Sequence, residues 1–176
     1  MLPEERAQLL TLARIAVKAA ASGEPPPNIP PGELFLKQCG AFVTLKRNGR
    51  LRGCIGHFTG LGSLGETIRA MAREAAIGDP RFIPVAAEEV KDITIEISVL
   101  SPMERIRPKD VVPGIHGLYV RKGSRGGTLL PQVAREEGWD RQTFLEHTCL
   151  KAGLSPDAWL DPDTEILSYT AEVIND

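Results

Sequence analysis

Cys54 is the side chain best suited to chemistry in this chain: a thiol two positions after Arg52, with Gly53 before it and Gly56 shortly after. A guanidinium held near a thiol favours the thiolate, which is the nucleophilic form. Glycine inside a strand marks a bulge, or a place where a ligand or another backbone comes close. The alternative is a buried structural cysteine, because free cysteine packs as a small hydrophobe and the glycines would then serve close packing. His116, between Ile115 and Gly117, is the candidate base, since a cysteine–histidine pair is one way to activate a nucleophile. Its ring nitrogens could equally tie down a loop. Asp79-Pro80-Arg81-Phe82 places an acid, a base and an aromatic in one turn. Asp79 can cap that turn and pair with Arg81. Otherwise Arg81 joins Arg52 in offering two guanidinium forks to a carboxylate or phosphate. The candidate site is therefore Cys54 and His116 as catalytic groups, with Arg52, Gly53, Gly56, Asp79 and Arg81 around a substrate. Glu96 has no second acid near it in sequence, so paired-carboxylate catalysis has no support.

Other chemistries find less in the residues. Cys54 and His57 are three apart, but a zinc site needs three or four ligands and no second close pair exists. Cys39, His116 and His147 could converge only through tertiary structure, and no metal is expected. Neither a Gly-x-x-x-x-Gly-Lys loop nor a dinucleotide fingerprint is present, so no cofactor is expected. A net charge of −2 gives no electrostatic case for nucleic acid or an anionic membrane. Basic residues do gather in two places, at Lys46, Arg47, Arg50 and Arg52 and at Arg121, Lys122 and Arg125. Both lack aromatic stacking platforms, and charged hairpin tips also keep sheet edges soluble. Three widely spaced cysteines argue against a disulfide framework and for a reducing compartment. Glu4, Glu5, Arg14 and Lys18 make the first segment neither a signal peptide nor a membrane span, so a soluble, cytoplasmic protein is expected.

The elements that must position Cys54 begin with Asn48-Gly49, a strong hairpin signal between two alternating runs over 41–47 and 50–56. A two-residue turn there predicts Arg47 opposite Arg50, Leu45 opposite Arg52 and Val43 opposite Cys54. Arg52 and Cys54 would then share a face with Leu45 and Val43. Upstream, the spacing predicts a helix over residues 1–23 and a proline-rich strap over 24–32, with an α+β body over 33–176. The strap reads as a linker carrying the helix to its docking place, although a proline run can also bind an SH3-like partner. Ser63 and Glu66 form a capping box ahead of an apolar stripe at Leu64, Ile68, Met71 and Ala75, and Gly78 ends that helix. Residues 92–100 alternate as a half-buried strand, which joins the hairpin's sheet. Strands follow over 117–121 and 127–130, a short helix from Pro131, and a helix capped by Asp140. Ser155-Pro156 opens a last helical turn, and Glu165 to Val173 returns as one strand. This irregular order predicts an α+β fold with a mostly antiparallel β-sheet flanked by helices.

Leu51-Arg52-Gly53-Cys54-Ile55-Gly56 resembles the signature of the AMMECR domain family, also called AmmeMemoRadiSam system protein A. Asp79-Pro80-Arg81-Phe82, Gly114-Ile115-His116-Gly117-Leu118, Leu130-Pro131-Gln132-Val133-Ala134, Gly138-Trp139-Asp140 and Lys151-Ala152-Gly153-Leu154 are similar to further family motifs, in family order. The likeness runs from about Phe42 to Leu154. His57 departs from it, standing where a small residue, commonly threonine, is expected. The resemblance implies a single α+β domain in two unequal lobes, with the hexapeptide at the groove between them. It also implies cooperation with a Memo-like protein and a radical-SAM protein. It names no reaction, so three functions stay open. One is a modifying enzyme, or its accessory subunit, that uses Cys54, with Arg52 holding an anion and His116 assisting. Another is a non-catalytic subunit that binds a protein or a small ligand. The third is a nucleic-acid-binding regulator.

Overall fold

A computed structural model describes residues 1–176. In chain order the elements are α1 (Pro3–Ala21), α2 (Glu33–Leu36), β1 (Ala41–Arg47), β2 (Arg50–His57), α3 (Leu64–Ile77) and β3 (Ile93–Leu100). Next come β4 (Glu104–Arg105), β5 (Gly117–Lys122), β6 (Arg125–Leu129), α4 (Pro131–Glu136) and α5 (Arg141–Lys151). The chain closes with β7 (Glu165–Tyr169) and β8 (Ala171–Asn175). They divide into two compact units, Met1–Leu100 with Glu172–Asp176, and Ser101–Ala171. Each holds one four-stranded antiparallel sheet with helices, so the fold is α+β as expected. No helix is long and apolar enough to cross a membrane.

The first unit has strand order β2-β1-β3-β8. Val43, Leu45, Ile95 and Ile97 point from the sheet into a core shared with Leu9, Ala13 and Val17 of α1 and Leu64, Ile68 and Ala72 of α3. Each fully buried leucine or isoleucine in it is worth about 1.5–3 kcal/mol. Helix α3 begins at Ser63, whose hydroxyl accepts from the Glu66 N–H while the Glu66 carboxylate accepts from the Ser63 N–H. Gly78 caps its end. The proline strap lies on α3: Arg69 donates to the Pro27 carbonyl, and Ile29 packs where Gly65 leaves room. The C-terminal strand is tied to α1 by the ion pairs Arg6–Glu172 and Arg14–Asp176.

The hairpin turns where expected, with Asn48 (φ 51°) and Gly49 (φ 73°) both left-handed, as its two-residue turn requires. Its register differs from the expectation. Arg47 opposes Arg50 and Lys46 opposes Leu51, but then Leu45 opposes Gly53 and Thr44 opposes Cys54. Arg52 is the extra residue of a β-bulge. The reason lies in α3, which passes so close that a Cβ on Gly53 would sit 2.0 Å from the Ala75 carbonyl oxygen. Glycine must face the helix there, and the bulge brings it round. A one-residue shift moves every later side chain to the other face. Cys54 therefore leaves the core face of Val43 and Leu45 for the opposite face, with Thr44 and Phe42, while Gly53 and Ile55 turn inward.

The second unit has strand order β4-β7-β5-β6 around Leu118, Val120, Phe144, Leu145, Cys149 and Ile166. Asp140 caps α5 by accepting from the Thr143 N–H. The expected single strand from Glu165 to Val173 is two. It breaks at Thr170, after which β7 stays in this sheet and β8 joins the sheet of the first unit. The sequence alternates through the break at Tyr169, Ala171 and Val173, but the buried face turns over with the change of sheet, so that Val173 is exposed and Ile174 buried.

Candidate functional site

The hexapeptide strand β2 lies at the edge of its sheet, so one row of its backbone groups has no neighbouring strand. The segment after α3 takes that place. Pro80 cannot continue the helix, and Asp79 folds back so that one carboxylate oxygen accepts the Cys54 N–H at 2.9 Å. Arg81 completes the pairing by donating to the Cys54 carbonyl at 3.1 Å. The two side chains thus supply the acceptor and the donor that a further strand would offer. They are themselves joined by a fork, Nε to one carboxylate oxygen at 2.9 Å and Nη2 to the other at 2.7 Å, while the Arg81 backbone N–H also donates to Asp79. Asp79 is only 5% exposed. The Arg81 fork first, then the N–H groups of Cys54 and Arg81, hold its carboxyl well below the usual carboxylate range despite burial. Arg81 is pushed up in turn by Asp79 and also lies over the Phe82 ring. The motif therefore does what the capping and pairing alternative proposed.

Arg52, expected to hold an anion, is engaged within the protein. It leaves the bulge to donate from Nε and Nη2 to Glu89, and to the carbonyls of Ile83 and Pro84. Glu89 also pairs with Arg47 and caps its own turn by accepting from the Ala86 N–H. These contacts, Arg52 foremost, lower the Glu89 carboxyl to about 2. Arg52 and Arg81 are thus both engaged inside the protein, and an incoming anion would compete with Glu89 or Asp79 for them. Glu89 had no signal of its own beyond its place in an acidic pair before a strand.

On the outer sheet face, Cys54, Thr44 and Glu96 form one row across β2, β1 and β3. The Thr44 hydroxyl donates to the Cys54 sulfur at 3.1 Å, and Lys46 pairs with Glu96 at 2.9 Å. Cys54 is partly exposed, whereas Cys149 is fully buried. Burial pushes the thiols of Cys39 and Cys149 up. Gly56 follows on the Cys54 face because the Phe42 ring crosses it, 2.1 Å from where a Cβ would be. Thr44 was missed as a neighbour of the thiol because the unbulged register set it on the other face.

His116 belongs to the second unit and Cys54 to the first. The His116 Nδ1 accepts from the Val112 N–H at 3.1 Å, which closes the turn before β5. His57 ends β2 with its Nδ1 3.3 Å from the Thr59 hydroxyl, and His147 stacks on Trp139. No three His, Cys, Asp or Glu side chains gather as a metal site. The basic hairpin tips are largely paired: Arg47 with Glu89, Lys46 with Glu96, Arg121 with Glu165 and Lys122 with Asp161.

A family model described as AMMECR1 matches residues 10–174. A protein of Thermococcus gammatolerans is 45% identical, covering 96% of this chain and 88% of its own. Protein PF1979 of Pyrococcus furiosus is 46% identical, covering 96% of this chain and 86% of its own. The crystal structure of uncharacterized protein PH0010 from Pyrococcus horikoshii superposes with a TM-score of 0.86 at 42% identity, covering 100% of this chain and 93% of that one. Match and motifs agree across nearly the whole sequence, and the chain belongs to the AMMECR1 family.

Proposed function

We propose that this protein is a thiol-bearing modifying enzyme, or the accessory subunit of one, whose working group is Cys54. One observation carries the reading. The buried Asp79 carboxylate and the solvent-facing Arg81 guanidinium paired with it fix both backbone groups of Cys54, while its sulfur emerges on a polar sheet face beside the Thr44 hydroxyl. A nucleophile needs this kind of rigid support, because small errors of position cost large factors in rate. The resemblance to AmmeMemoRadiSam proteins adds a Memo-like and a radical-SAM protein as the partners with which it acts, in a reducing cytoplasm.

A second reading is a non-catalytic subunit that binds a protein or a small ligand. It is favoured by the engagement of Arg52 and Arg81 in ion pairs, while the side chain hydrogen-bonded to the sulfur is the neutral Thr44 hydroxyl. Alkylation and co-purification separate the two. Iodoacetamide, read by peptide mapping, should modify native Cys54 readily, and Cys54→Ser should keep both partners while abolishing the modification they perform together. Native Cys54 that resists alkylation at every pH, or a Cys54→Ser protein with full activity, leaves only the binding subunit.

A further inference from the structure

The second unit carries a cleft of about 620 Å³ that the Cys54 reading does not use. That is the size of a small-molecule site. Its apolar walls are Trp159, Pro108 and Leu145, and its rim carries Lys109 and Arg141. Past Trp159 and Arg107 it continues into a second depression of about 440 Å³. The rim keeps a net positive charge: Arg107, Lys109 and Arg141 stand against Asp110, which pairs with Arg107, and Asp140, whose carboxylate is turned to the cap of α5. Lys109 makes no ion pair, and Arg141 spends only its Nε, on the Val111 carbonyl at 2.7 Å. That bond fixes the guanidinium plane and leaves its terminal N–H groups for another acceptor. Two cations without carboxylate partners beside an indole and a proline suit an anion with a flat apolar body.

We propose that this cleft binds a small organic anion, an aryl phosphate or aryl carboxylate, with its ring against Trp159 and its charge on Arg141 and Lys109. The site shares no residue with the Cys54 machinery, so either proposal can fail without the other.

The chain has two tryptophans, and Trp139 is already stacked on His147, so the Trp159 indole N–H is a usable reporter once Trp139→Phe has assigned it. Addition of 1-naphthyl phosphate to the full ¹⁵N-labelled chain should shift that signal saturably. Inorganic phosphate and 1-naphthol, each lacking one half of the ligand, should bind at least about tenfold more weakly, the worth of a charge-assisted hydrogen bond or a stacked ring. Arg141→Gln and Lys109→Gln should each weaken 1-naphthyl phosphate by roughly tenfold. Lys109→Gln breaks no ion pair and keeps the test valid should Arg141→Gln disturb the fold. No saturable shift, equal binding of 1-naphthol or of cationic 1-naphthylmethylamine, or an unchanged affinity in Lys109→Gln overturns the proposal.

Discussion

The Asp79 carboxylate accepts the Cys54 backbone N–H at 2.9 Å across 25 residues of sequence, and Arg81 returns a bond to the Cys54 carbonyl. An edge strand is thereby paired by two side chains from one turn. The pair should behave as a unit. Asp79→Ala removes a buried acceptor that serves four donor bonds and should cost about 2–4 kcal/mol in urea unfolding. Arg81→Ala strands a buried carboxylate and should cost about 1–3 kcal/mol. The double variant should lose clearly less than the sum, and strict additivity would show that the two residues are not coupled.

Acid should expose the same architecture. Glu89 is lowered in the fold from 4.5 to about 2, and Asp79 is also depressed. The unfolded chain therefore takes up these protons first. The stability they contribute is complete above about 4.5 and drains away as the pH falls toward 2, for Asp79 reaching lower still. Urea midpoints should accordingly fall steeply between pH 4.5 and 2.5. Glu89→Gln should be less stable at pH 7 and show a shallower decline, whereas an unchanged slope would mean that Arg52 does not hold Glu89 ionised in solution.

What the sequence made legible was local, and what it hid depended on distant neighbours. Asn48-Gly49 announced its turn because only residues tolerant of positive φ fit there. Ser63 and Glu66 announced a helix start because the reciprocal cap needs only four residues. The motif Asp79–Phe82 was readable as a capped, paired turn, but not as the clamp on Cys54. The bulge at Arg52 was hidden, since its cause is the Ala75 carbonyl on another element. With it went the face of Cys54, the neighbour Thr44 and the partner Glu89. The break at Thr170 was hidden too, because alternation does not reveal a change of sheet.

Glycines in this hairpin should not be equivalent. Gly49→Ala meets nothing within 4 Å but must hold φ at 73°, so it should cost only about 1 kcal/mol. Gly53→Ala would drive a methyl into the Ala75 carbonyl, an atom of helix backbone that cannot turn aside. It should cost well over 3 kcal/mol or abolish folding, read by thermal melting. Gly56→Ala meets the Phe42 ring, which can rotate, and should fall between them. A Gly53→Ala protein as stable as Gly49→Ala would remove the explanation of the bulge.

Thiol reactivity tests the outer-face placement of Cys54. Cys149 is fully buried, and burial pushes both its thiol and that of Cys39 up, which lowers the fraction available as thiolate. Cys54 is partly exposed on the polar face with the Thr44 hydroxyl on its sulfur. Under native conditions at pH 7.5, iodoacetamide should therefore modify Cys54 first, Cys39 more slowly and Cys149 only on unfolding, each located by peptide mapping. The Thr44 hydroxyl bond holds the sulfur in one position on that face. Thr44→Val keeps the shape and removes that donor, and Cys54 alkylation should slow by roughly three- to tenfold with the fold intact by circular dichroism. The rate at Cys39 should stay unchanged. If Cys54 reacted no faster than Cys149, its sulfur would lie in the core, as the unbulged register with Cys54 opposite Val43 requires. An unaltered rate in Thr44→Val would instead separate the hydroxyl from the chemistry and leave the strand clamp as the only support for Cys54.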